Sequence, residues 1–302
     1  MLAVTVDVED WYHIPSVSGS PFSRFRDIDE FFAKWNRRYD YLTEPTKRVL
    51  DMLDELNIRA TFFVVADVTE HYPGLVQQIA AKGHEIACHG LHHACKIDPK
   101  TKEPLMGQEE FEERTRKAKE MLEKVSDQKV GGYRAPAGYV AGWMLDSLEK
   151  IGFTYDSSVS ANSFYNKSDS QLKGVSTKPY FPRKSKLEPG KARKIIEFPW
   201  PFFNLASFKF PTGGGPMLRF FGARYIMQGL KQSLKRGDTL VYFHPIDISN
   251  EEFPSSLLPN KRPFFWIIKG EVVERRIKYI LDNTYVKIGT CQEILQKSGG
   301  LR

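Results

Sequence analysis

Seven of the 302 residues are histidines, and four of these fall between positions 84 and 93. The run Cys88-His89-Gly90-Leu91-His92-His93 sets His89 and His93 four apart, a spacing that on a helical turn turns both imidazoles to one side. Two imidazoles and a carboxylate, with further positions left open, form a common catalytic site for a divalent metal. The acidic run Asp7-Val8-Glu9-Asp10 can supply that carboxylate. Alone, the histidine pair is a weak signal that reads more readily as a polar surface loop. Following a Gly83-His84-Glu85-Ile86 strand and paired with the acidic run, it reads as a metal site. Cys88 and Cys95 flank the cluster, but their spacing is not that of a zinc finger and no second Cys/His pair accompanies them. Cys88 is better explained as a small buried hydrophobe.

Two further residues belong to this chemistry. Arg134 stands in the run Gly131-Gly132-Tyr133-Arg134-Ala135-Pro136, which ends a glycine-rich strand abruptly. An arginine beside Asp7 would keep that carboxylate ionised and oriented, as a general base requires; the alternative is a surface salt bridge of little energetic weight. His244 follows Val241-Tyr242-Phe243 and precedes Pro245. It is either a satisfied capping group or an exposed acid/base.

The elements that must position these groups can be read from pattern. Leu2 to Val8, Ile58 to Val65, His84 to Cys88, Val130 to Tyr133, Phe153 to Tyr155, Ile195 to Phe198, Thr239 to Phe243 and Val286 to Ile288 are short apolar, β-branched or aromatic runs that predict buried strands. Amphipathic or helix-forming stretches at 45–56, 75–82, 108–125, 141–150, 222–236, 271–282 and 290–297 separate most of them. Alternation of this kind predicts a parallel α/β sheet or barrel. Asp7, Glu9, Asp10, His89, His93, Arg134, Asp156 and His244 all stand at strand ends, where such folds build their sites. A core has no use for so many ionisable groups. Residues 160–194 look irregular and predict a functional surface loop.

Composition bounds the rest. The chain carries 44 Lys+Arg against 37 Asp+Glu, a formal charge of +7, with 41% hydrophobic residues and three cysteines. This is enough for a core and excludes disorder or a disulfide framework. No apolar run reaches membrane-spanning length. The N-terminus lacks the pattern of a secretory signal, so a cytoplasmic protein is expected, with peripheral membrane contact left open. The basic stretch from Lys173 to Lys194 is read as a solvated loop; no groove-reading motif accompanies it, so nucleic acid is not expected as a partner. Trp11, Tyr12, Trp200, Phe202 and Phe203 are core residues or sugar-stacking platforms.

Taken in order, Ala60-Thr61-Phe62-Phe63-Val64, Gly83-His84-Glu85-Ile86 with His89 and His93, Arg134-Ala135-Pro136 and Phe243-His244-Pro245 resemble the motifs of polysaccharide deacetylases, the carbohydrate esterase family 4 or NodB-homology superfamily. Asp7-Val8-Glu9-Asp10-Trp11, Tyr155-Asp156-Ser157-Ser158 and Gly213-Gly214-Gly215 with Arg219 resemble a branch with a C-terminal extension associated with exopolysaccharide loci. The resemblance implies a distorted (β/α)7 TIM-like barrel in a single domain over residues 1–302, with a loop-rich insert at 160–220 and an extension at 245–302. It implies an amide hydrolase that removes N-acetyl groups from an amino sugar or polysaccharide precursor. In that reading Asp7 is the general base, Arg134 its tether, His244 the general acid and Asp156 the group that orients it. A backbone N–H following Arg134 stabilises the oxyanion. His89 and His93 are metal ligands with Glu9 or Asp10 as the third, for Zn2+ or else Co2+, Ni2+, Mn2+ or Fe2+. Strand parity favours Glu9. Two positions depart from the family pattern: Val8 stands where a second adjacent aspartate is common, and Ala137 where many members carry an aromatic. The alternatives are a same-fold hydrolase of a small non-sugar amide and a carbohydrate-binding pseudoenzyme; the full set Asp7, His89, His93, Arg134 and His244 counts against the latter. Oligomeric state is not expressed in the sequence.

Overall fold

In the computed structural model, residues 1–35, 40–252 and 268–297 are described. Leu2–Val8, apolar and β-branched almost throughout, becomes the central strand β1, buried along its whole length. The strands that follow are β2 (Thr61–Val64), β3 (Glu85–Cys88), β4 (Gly132–Tyr133), β5 (Tyr155–Asp156), β6 (Ile196–Glu197), β7 (Phe202–Leu205), β8 (Phe208–Pro211), β9 (Thr239–Phe243) and β10 (Ile288–Gly289). The helices are α1 (Ile28–Lys34), α2 (Thr43–Glu55), α3 (Val68–His71), α4 (Leu75–Ala81), α5 (Gln108–Ser126), α6 (Gly142–Ile151), α7 (Gly215–Arg236), α8 (Pro245–Ile248), α9 (Glu271–Asp282) and α10 (Cys291–Lys297).

Strands β1 to β6 lie side by side in chain order, all parallel, and β9 and β10 both pair with β1. The sheet curls into the expected α/β barrel, with β9-β1-β2-β3-β4-β5-β6 as its seven main staves and β10 as a short eighth. Among the described residues β6 and β9 share no ladder. That seam is spanned instead by Trp200 against Tyr242, ring centroids 4.7 Å apart.

The two-residue period of a strand decides what faces inward. Ala3, Phe63, Ala87, Phe198, Leu240 and Tyr242 pack in the barrel interior. Leu2, Val4, Val6, Phe62, Val64, Ile86, Val241 and Phe243 pack in the separate cluster against the helices. Extending the inward parity past each strand end selects Asp7 and Glu9 from β1, His89 from β3, Arg134 from β4 and His244 from β9. The opposite end of the barrel is closed by α10, whose first backbone N–H groups, of Cys291 and Gln292, donate to Thr61 and Glu85.

Three expectations change. His89 and His93 lie on an irregular loop, not a helical turn; Gly90 (φ 84°) and His93 (φ 52°) are left-handed. Residues 202–211 form the β7–β8 hairpin inside what read as a loop-rich insert, because Ala206 (φ 53°) turns the chain in two residues. Helix α7 begins at Gly215 rather than 222, and Gly222 (φ 78°) breaks it internally. Of the expected extension over 245–302, residues 253–267 and 298–302 lie outside the described residues.

Candidate active site

A cavity of about 490 Å3 opens at the carboxyl ends of the strands, and Asp7, Glu9, His89, His93, Arg134 and His244 all line it. His89 follows β3 directly. Its Nδ1 faces the carbonyl of Arg134 at 2.8 Å, and since a carbonyl only accepts, Nδ1 carries the proton and Nε2 is left unprotonated with its lone pair free to bind a metal. His93 is fixed in the same way by the carbonyl of His13, also at 2.8 Å. Both Nε2 atoms turn toward Glu9 Oε2, at 3.7 Å for His89 and 2.6 Å for His93. Two imidazoles with tautomers set from behind and one carboxylate suit a divalent cation of zinc type. Burial alone would raise the Glu9 pKa, but His93, His244 and His89 together hold it well below the usual carboxylate range.

Asp10 points elsewhere. It caps the short turn at Trp11–His13 and accepts from Trp11 N–H and the Tyr72 hydroxyl, with burial pushing its pKa up to about 6. Of the two acidic candidates, Glu9 therefore sits with the histidines and Asp10 does not. The cysteine alternative also falls away: Cys88 and Cys95 are buried, and burial pushes their thiols up to about 12 and about 11.

Arg134 is fully buried at the barrel centre. It donates to Asp7 Oδ1, Thr5 Oγ1, Ser157 O and Ser157 Oγ, and its guanidinium lies over the Phe63 ring at 4.1 Å. Asp7 Oδ2 stays on the open side, 3.9 Å from His244 Nε2. His244 Nε2 is also 3.5 Å from Glu9 Oε1. Burial lowers the His244 pKa, against the pull of Glu9 and Asp7.

The carboxylate on His244 Nδ1 is not Asp156 but Asp247, at 2.9 Å. Asp247 in turn accepts from Arg219, which is buried and lines the cavity. Gly215, opening α7, leaves room for this arrangement: a Cβ there would stand 2.5 Å from Asp247 Oδ2 and 2.8 Å from His244 Nδ1. Asp156 instead bonds Ser158 at 2.8 Å and pairs with Glu197, burial raising the pKa of both carboxyls. Their effect reaches the site through Ser158 Oγ, which accepts from Ala135 N–H at 2.8 Å. Ala135 is thereby occupied and Pro136 has no N–H. The backbone donor after Arg134 that does face the site is Ala137, whose N–H points at His93 Nε2, 3.4 Å away.

Sequence reasoning missed two residues, Asp247 and Lys167. Asp247, three beyond His244 on the α8 turn, was signalled by the His-Pro-x-Asp spacing. Lys167 reaches the cavity wall from the irregular 160–194 stretch, donates to Ala137 O at 2.8 Å and has its pKa lowered by burial to about 8. No local pattern marks it. Arg219 was visible only as part of a resemblance. Of the aromatics, Trp200 lines the cavity while Trp11, Tyr12 and Phe202 are core. In the basic stretch, Arg193 is tied to Asp146 and Glu149, and most of the other cations are exposed.

The family profile described as polysaccharide deacetylase matches residues 36–155, and one described as a domain of unknown function (DUF3473) matches residues 163–296. Residues 36–155 thus carry the likeness to the polysaccharide deacetylase family. The chain is 26% identical over 141 residues to a peptidoglycan-N-acetylglucosamine deacetylase of Bacillus cereus, covering 40% of this chain and 48% of that one. The chain thus spans about half the length of that curated relative. A crystal structure from Mycobacterium smegmatis, assigned to the polysaccharide deacetylases, superposes with a TM-score of 0.64 at 18% identity, covering 99% of this chain and 90% of that one. A CE4 family pseudoenzyme from Bacillus anthracis superposes with a TM-score of 0.52 at 12% identity, covering 98% and 65%. Both show a shared fold. The deacetylase family match contains His89, His93 and Arg134, the match to the domain of unknown function contains His244 and Asp247, and Asp7 and Glu9 precede both.

Proposed function

We propose that the chain is a metal-dependent hydrolase of N-acetyl groups on an amino sugar or polysaccharide precursor, with residues 1–302 acting as one catalytic unit. One observation carries the reading: the Glu9/His89/His93 donor set and the Asp7–His244 pair open onto the same cavity. Glu9, His89 and His93 would hold a divalent ion; zinc suits the set, with cobalt, nickel, manganese or iron as other occupants. When bound, such an ion supplies Lewis-acid polarisation of a carbonyl and acidification of water.

The chain's own groups do the rest. Arg134 holds one oxygen of Asp7, so the other takes the proton of the attacking water as general base. Ala137 N–H stabilises charge developing on the acetyl oxygen. Asp247 holds the Nδ1–H of His244, which directs Nε2 at the departing amine. A lowered pKa makes the protonated imidazole a stronger donor to that amine.

Metal analysis of purified protein together with acetate release from N-acetylglucosamine oligomers tests the reading; no bound metal and no acetate from any sugar would sink it. His89→Ala should lose the metal. Asp7→Asn should retain it while turnover falls by about 10²–10⁴-fold. Full activity in Asp7→Asn would mean that another group is the base.

A further inference from the structure

The β7–β8 hairpin presents an unusual face. Its cross-strand pairs are Phe203 with Phe210 and Leu205 with Phe208, and by strand parity both lie on one side. Leu205 is 63% exposed and Phe208 56%. A hairpin with one face in water ordinarily places polar side chains there. Here the apolar ladder is extended by neighbours from two other segments. Phe164, 59% exposed, meets Phe210 at 5.0 Å; Tyr225 of α7 meets Phe203 at 5.5 Å and Phe221 at 4.7 Å. Phe221 is itself exposed. A continuous aromatic and aliphatic ridge of this kind marks an interaction surface.

Charge identifies what it meets. Between Glu197 and Asp238 the chain contains Lys209, Arg219, Arg224, Lys231, Lys235 and Arg236 and no acidic residue. After the break at Gly222, Arg224, Gln228, Lys231 and Lys235 form the exposed stripe of α7. That helix lies beside β7, where Gln232 and the Asn204 backbone bond each other in both directions. An apolar ridge beside a helical stripe whose charged members are all cations fits an anionic lipid surface, the apolar tip entering the headgroup layer and the cations meeting phosphates. A second copy would bring the same cations against themselves.

We infer that the β7–β8 hairpin and the exposed stripe of α7 form a peripheral docking surface for an anionic bilayer. Trp200 precedes this surface in the chain, and Pro216 and Arg219 lie on the first turns of α7; all three line the catalytic cavity. Docking would thus hold the cavity close to the headgroups. The inference stands apart from the hydrolytic reading.

The test is sedimentation of the full chain with vesicles of phosphatidylcholine alone or of equimolar phosphatidylcholine and phosphatidylglycerol. Binding to the anionic vesicles, at least about tenfold stronger than to neutral ones and weakened by salt, is expected. The double change Leu205→Ser with Phe208→Ser should lower it about tenfold or more, leaving acetate release from soluble oligomers unchanged. Lys231→Glu with Lys235→Glu should lower it too, without touching the hairpin. Absence of binding, equal binding to both vesicles, or wild-type binding by both variants would overturn the inference. So would a dimer in light scattering that the hairpin variant dissolves, since the ridge would then be an interface between copies.

Discussion

His244 takes its orienting carboxylate from three residues away on the same turn, which is why the more conspicuous Asp156 at a strand end is a bystander to it. The distinction is measurable. Asp247→Asn should lower kcat by about 10²-fold and move the alkaline limb of the pH–rate profile to lower pH, because an amide in place of the carboxylate no longer stabilises the imidazolium. Asp156→Asn should leave that limb in place, since its bonds run to Ser158 and Glu197; a shift of the limb in this variant would reinstate Asp156. The same logic separates Glu9 from Asp10: adjacent residues on an extended chain point to opposite sides, and only one of them shares the inward parity of Asp7. Strand parity made that preference readable before any coordinates. What parity could not convey is that Asp10 is taken up by a local turn and by Tyr72.

At the scale of elements, the strands were legible because parallel staves buried on both faces must be short and apolar. The helices were legible because their apolar positions repeat every three or four residues. The hairpin was not, since Phe202 to Pro211 mixes aromatics with Asn, Ser and Lys and its tip faces outward. Nor was the start of α7, because three successive glycines look like a loop. The structure gives one of them a definite reason. A side chain at Gly215 would collide with the Asp247–His244 pair, so Gly215→Ala should cut kcat about tenfold or more while costing about 1–3 kcal/mol of stability, the usual penalty for overpacking. Steady-state kinetics alongside a thermal melt would check it; an unchanged kcat would show that the helix start can shift without disturbing His244.

For the whole molecule, the two family matches meet between residues 155 and 163, yet the barrel does not divide there. β6, β9 and β10 lie beyond that boundary and pair with β5 and β1, so the N-terminal half alone would expose both edges of its sheet. Global stability should also respond to pH through His84, which is remote from the cavity. Its ring accepts from Ala60 N–H, its Nε2 is buried without a partner, and burial lowers its pKa from 6.5 to about 4. The unfolded chain binds a proton there first, so this stabilisation is complete above pH 6.5 and is lost as pH falls toward 4. Denaturant melts of wild type and His84→Gln across that range should converge toward the acid end, and a gap independent of pH would refute the assignment.

Residue type and order alone determined the α/β class, the register of inward-facing positions and the grouping of acidic, imidazole and guanidinium side chains at strand ends. These follow from periodicity, which is a local property of the chain. Only the tertiary structure decided which carboxylate meets which imidazole, that Ala137 and not Ala135 offers its N–H, that Lys167 reaches the cavity from an irregular segment, and that the histidines stand on a loop. Those outcomes depend on contacts between residues far apart in the chain, where orientation is set by what packs behind each side chain rather than by its neighbours in sequence.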